Sequence, residues 1–149
     1  MCGAGCGGAA PLGESGEKAM RNVRVFLSIA ALANLAVALW HLYLAVEMHP
    51  GLLGTAPVRI AILTGALTLV GVALVWTRYP KIGSLVLIVV LALGFLMGCI
   101  EHFFVAGPYN VFDVGRGHWV LPFDITVALL VVFQVAGLCA AVRMLAARA

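Results

Sequence analysis

Polar residues in this chain gather into a few short clusters, and the stretches between them run apolar for some two dozen residues at a time. Four such stretches stand out: Val23 to Val46, Pro57 to Thr77, Ile82 to Ala106 and Trp119 to Val142. A helix needs roughly 20 residues to cross a hydrocarbon core of ~30 Å, so each stretch is long enough to span a bilayer. The runs are continuously apolar and do not alternate, which argues against the strands of a transmembrane barrel. Between them, His49-Pro50-Gly51, Arg78-Tyr79-Pro80 and Gly107-Pro108-Tyr109-Asn110 supply turn residues where helices must stop. The pattern predicts an all-α fold, an integral membrane up-down four-helix bundle forming one transmembrane domain over residues 21–149.

The first twenty residues, MCGAGCGGAAPLGESGEKAM, break this pattern. They are Gly-rich, hold no sustained apolar run and do not form a signal peptide, so residues 1–20 are expected to be a disordered tail. Met20-Arg21-Asn22-Val23-Arg24 has the form of a signal-anchor start, which makes Met20 an expected alternative initiation site that would leave residues 1–19 untranslated. Cys2 and Cys6 form a lone C-x-x-x-C without the ligand spacing of a zinc site. Cys99 and Cys139 lie within spans, where a thiol serves as a small apolar packing residue, and no structural disulfide is expected.

Composition excludes the water-soluble alternative: 64% hydrophobic residues, 10% charged and a mean hydropathy of +1.12 are incompatible with a soluble globule of this size. Charge then sets orientation. Lys18, Arg21, Arg24, Arg78, Lys81, Arg143 and Arg148 fall on one side of the bundle, and Arg59 and Arg116 on the other. Because basic residues near span ends are retained in the cytoplasm, both termini are predicted to be cytoplasmic. The expected location is the plasma membrane, on the plan of a bacterial inner-membrane protein. Trp76 and Tyr79 at the inner boundary, with Trp40, Tyr43, Tyr109 and Trp119 at the outer one, match an aromatic belt. The net charge of +3 is spent on orientation signals and calls for no nucleic-acid partner. The expected partners are the lipid bilayer and either a second copy of the chain or a larger membrane complex.

Candidate chemistry lies on one side only. All four histidines (His41, His49, His102, His118) and four of the six acids (Glu47, Glu101, Asp113, Asp124) fall at the outer helix ends or in outer loops. Counting ~1.5 Å per residue up from the inner basic residues places His41, Arg59, Glu101 and Asp124 at similar heights, roughly 26–30 Å. Facing follows from helical periodicity: Ala30, Asn34, Ala38, His41 and Ala45 form one stripe, and Gly94, Gly98, Glu101 and His102 another. Small-residue stripes allow close backbone approach, so both should face the bundle interior. Glu101 and Glu47 sit near helix C-termini, where the macrodipole disfavours negative charge, so each requires a partner. Asp124 follows Pro122 closely enough to be a first-turn acid on a helix starting at that proline.

Two readings of the cluster follow. In one, His41 and His102 are the first two ligands of a transition metal, with Glu101 or Glu47 as a third ligand or an orienting group. Haem b is a variant, with the two histidines on opposite faces of a macrocycle and Gly98 and Ala38 leaving room. In the other reading the cluster is an ion-paired clasp: Arg59 or Arg116 neutralises Glu101 or Glu47, and the chain is a structural or accessory subunit of a membrane complex. A proton-coupled or small-ligand transporter is a third reading. Against it, Asn34, Thr64, Thr68 and Gln134 are too few polar residues at depth to trace a route across. No nucleophile elbow, phosphate-cradling Gly loop or paired redox Cys is present, so no catalytic residue is assigned and the sequence leans away from an enzyme.

Overall fold

The computed structural model describes residues 14–49, 51, 56–105, 110–111 and 119–147. Four helices carry the chain: α1 (Glu14–Met48), α2 (Ala56–Val75), α3 (Pro80–Cys99) and α4 (Val120–Ala146). A π-helical turn, Ile100–Phe104, continues directly from α3, and no strand occurs among the described residues. All four helices are long and apolar enough to cross a membrane.

The helix boundaries have local causes. α1 begins at Glu14, inside the segment expected to be a tail. Glu14 and Glu17 lie in its first turn, where negative charge meets the positive end of the macrodipole, and Lys18, Ala19 and Met20 are good helix formers. Met20 is buried, so this extension is packed and not merely helical. Residues 1–13, with Cys2 and Cys6, lie outside the described residues. Pro80 opens α3, where its fixed φ suits a first helical position and its missing N–H costs no bond. α4 starts at Val120, two residues before Pro122, because the first turn has no intrahelical donors to lose. Asp124 is therefore in the second turn, and the first-turn role expected for it does not hold.

Each helix packs against its neighbours in the chain, and α1 closes the ring on α4. The pairings run antiparallel. On α1 and α2, Ser28 Oγ accepts a 2.8 Å hydrogen bond from Trp76 Nε1, while Leu35 lies against Gly65. On α3 and α4, Leu91 lies against Gly137 and Gln134 over Gly94. On α1 and α4, Ala30 lies against Gly137 and His41 against Thr126. The tightest crossing joins α2 to α3. A Cβ placed on Gly83 would stand 2.6 Å from Val75 N and 2.8 Å from Gly71 O, so only glycine admits that approach.

Two apolar clusters fill the interior. One, near the α2–α3 turn, contains Met20, Leu27, Ala31, Val75, Leu87, Leu91, Ala141 and Met144. The other, at the opposite end, contains Leu44, Ala45, Phe123 and Val127, with Met48, Val111 and Trp119 against it. Large apolar side chains such as Phe26, Ile29, Ile62, Leu63 and Leu121 face outward, while Ser28, Asn34, Thr68, Ser84, His102, Thr126 and Gln134 are buried. The interior is thus largely apolar with a minority of polar side chains, while the outer surface is dominated by large apolar ones.

Candidate functional site at the His41–His102 end

The stripes anticipated on the first and third spans converge at one end of the bundle. His41, from the last third of α1, and His102, from the π-helical turn, place their ring centroids 4.9 Å apart with planes at 85°. Phe123 of α4 packs against both, at 4.5 Å from His41 and 5.7 Å from His102. Phe123 is 1% exposed and His102 is 7% exposed, so the pair is walled in by protein on the α4 side.

The backbone around His102 departs from an α-helix. Val105 N donates to Ile100 O at 2.9 Å, an i→i+5 bond that widens the last turn. The chain then folds back on itself: Val111 N donates to His102 O at 3.0 Å and Asn110 Nδ2 to Val105 O at 3.0 Å. Carbonyls left without partners at a helix C-terminus are thereby satisfied, which fixes the turn carrying Glu101 and His102.

One hydrogen-bond chain fixes the chemistry of His41. Its Nδ1 lies 2.7 Å from Thr126 Oγ1, and Thr126 Oγ1 lies 2.7 Å from Phe123 O. A carbonyl has no proton, so the threonine's single hydroxyl proton is committed to Phe123 O. Thr126 must then accept from His41, and His41 Nδ1 carries the proton. In the neutral ring Nε2 is left with the lone pair, available as an acceptor or a ligand.

The other sequence candidates are placed differently. Glu101 is half-buried beside His102 in the same turn, Glu47 is exposed near the end of α1, and Arg59 is exposed near the start of α2. Among the described residues no ion pair joins Arg59 to either glutamate, and Asp124 Oδ1 is buried without a hydrogen-bond partner. Arg116, Asp113 and His118 lie outside the described residues. No group of three His, Cys, Asp or Glu side chains is positioned to hold a metal among the described residues. Thr126 and Phe123 were not anticipated. Counting back from Gln134 along the buried face of α4 reaches Val127, Thr126 and Phe123, which was the available signal.

Haem does not fit this arrangement. Two axial imidazoles stand on opposite faces of the macrocycle with centroids about 6 Å apart, given iron–nitrogen bonds of about 2 Å. At 4.9 Å, nearly perpendicular and with Phe123 against both rings, His41 and His102 leave no plane between them. A single tetrahedral ion suits the spacing, since bonds of about 2.0–2.1 Å to two imidazoles set centroids about 5 Å apart.

Comparison with protein families, curated proteins and solved structures gives no match to this chain.

Proposed function

We propose that the chain is an integral plasma-membrane protein, with both termini cytoplasmic, whose paired histidines bind one transition-metal ion near the outer surface in an accessory or redox role. Insertion is supported by the outward-facing apolar side chains and by four helices of spanning length. Orientation is supported by the gathering of Lys18, Arg21, Arg24, Arg78, Lys81 and Arg143 at the end opposite the histidines. Arg78 stacks on the Tyr79 ring at 4.8 Å at that end, and Trp40 packs on Tyr43 at 5.3 Å toward the other, as interfacial aromatics do.

The observation that carries the metal reading is the His41–Thr126–Phe123 O chain. A ligating histidine characteristically donates its other ring N–H to a fixed acceptor, which selects the tautomer and orients the ring. Here that acceptor is built into α4. His41 and His102 supply two ligands, and an imidazole pair suits Zn, Cu, Fe or Ni. Glu101 precedes His102 in the same turn but does not join the two histidines as a third ligand among the described residues, so the remaining positions on the ion would be filled by solvent.

The test is to purify the protein in mild detergent without chelators and to measure bound metals by mass spectrometry. Near-stoichiometric metal is expected, lost in His41→Ala and in His102→Ala and kept in His49→Ala. A protein that holds no metal and takes up none on reconstitution contradicts the proposal. The packing of both rings on Phe123 would then favour the second reading, a polar clasp in an accessory subunit, and a larger membrane complex should co-purify.

A further inference from the structure

A second polar layer lies deeper in the bundle, and nothing in the histidine site uses it. Asn34 shares a helix face with Leu27 and His41, one heptad from each, and is 8% exposed. Its Oδ1 is buried with no hydrogen-bond partner among the described residues. Ala30 faces Gly137 and His41 faces Thr126, so α1 and α4 pass each other residue for residue and Asn34 is level with Gln134. Gln134 is itself 8% exposed, and its Nε2 lies 3.0 Å from the position a Cβ on Gly94 would occupy. On the α2 side, the register set by the Ser28–Trp76 and Leu35–Gly65 contacts puts Thr68, which is 2% exposed, within about a helical turn of the height of Asn34. One layer thus draws a polar side chain from each of three helices and a glycine from the fourth.

The chemistry of that layer specifies what it takes. Thr68 Oγ1 donates its proton to Thr64 O at 2.8 Å and is left as an acceptor. Asn34 Oδ1 is a second acceptor, and leaving a buried acceptor unmet carries its full desolvation penalty. Gln134 offers the amide donor. Two acceptors and one donor match a molecule that donates two protons and accepts one, and buried waters typically make about three hydrogen bonds. We propose that Asn34, Thr68 and Gln134 bind a single structural water at mid-depth, with Gly94 keeping the layer free of a side chain that would displace it. The site lies about 10 Å beneath His41, two helical turns along α1. Toward the other end, Leu27, Leu87, Leu91 and Met144 are sealed at 0–1% exposure, so hydration stops there.

A structure from lipidic crystals, at a resolution that shows ordered solvent, tests this directly. Wild-type protein should show a solvent peak within hydrogen-bond distance of Asn34 Oδ1 and Thr68 Oγ1, and Thr68→Val should lose it. A direct bond between Asn34 and Gln134, or an apolar layer without a peak, overturns the site. Thermal melting in detergent is the second readout: Asn34→Leu and Gln134→Leu should each lower the midpoint by several degrees. The double variant should fall no further than the worse single one, because both lose the same water. A rise in the midpoint for Asn34→Leu, or full additivity, overturns the proposal as well.

Discussion

Thr126 is the residue on which the chemistry of the histidine pair turns, because its hydroxyl decides which nitrogen of His41 holds the proton. Thr126→Val keeps the shape but removes the acceptor, leaving a buried N–H unmet. A stability loss of about 1–3 kcal/mol in detergent unfolding is expected, with recovery in Thr126→Ser. If the ring also ligates an ion, the same change should weaken metal binding by about 10–100-fold in a competition titration. Unchanged stability and affinity in Thr126→Val would refute the tautomer assignment. Acid should act in the same direction on binding: protons compete for the imidazole lone pair, so metal occupancy is expected to fall as pH is lowered, with the midpoint moving to lower pH as metal concentration rises. Occupancy independent of pH would contradict imidazole ligands.

At the scale of elements, the proposed bilayer setting gives close helix approach special weight, since lipid offers no hydrophobic force to draw apolar helices together and small residues allow their backbones to pack. Gly83 against Val75 and Gly71 is the sharpest case, because the clash is with backbone and no side chain can swing away. Gly83→Ala should therefore force α2 and α3 apart and cost about 1–3 kcal/mol, read as a lowered unfolding midpoint. Gly51→Ala serves as the control, having no atom within 4 Å of the added Cβ, and should be neutral. The interior stripes of α1 and α3 were legible in the sequence because helical spacing of Ala30, Asn34, His41, Gly94 and His102 reports directly on facing. The role of Thr126 was not, because charge and height drew attention to Asp124, two residues away on a different face. The π-helical turn was also hidden, since it depends on Val111 N and Asn110 Nδ2 returning from a loop to cap it. The early start of α1 was masked by the glycines that precede Glu14, although the first-turn acids were visible.

For the whole molecule, four spans and the gathering of basic residues at one end predict a fixed topology. A single-cysteine variant at Gly51, which is exposed in the α1–α2 connection, should react with a membrane-impermeant maleimide on intact cells. Labelling only after permeabilisation would invert the orientation. Asn110 is unsuitable for the same experiment because it is 5% exposed and holds the π-helical turn. Beyond the layer of Asn34, Thr68 and Gln134 the buried hydroxyls are already committed, Ser84 Oγ donating to Pro80 O and Ser28 Oγ accepting from Trp76 Nε1, and the apolar cluster around Leu27 and Leu91 fills the rest of the interior. X-ray absorption on the metal-loaded protein reads whether His41 and His102 share one ion, as proposed. Two imidazole nitrogens at about 2.0–2.1 Å, with the outer-ring scattering of histidine, are predicted for the wild type, and His102→Ala loaded in parallel should return no ordered metal signal. A wild-type spectrum of oxygen ligands alone, or a His102→Ala sample with the same metal content and spectrum as wild type, would contradict a shared ion.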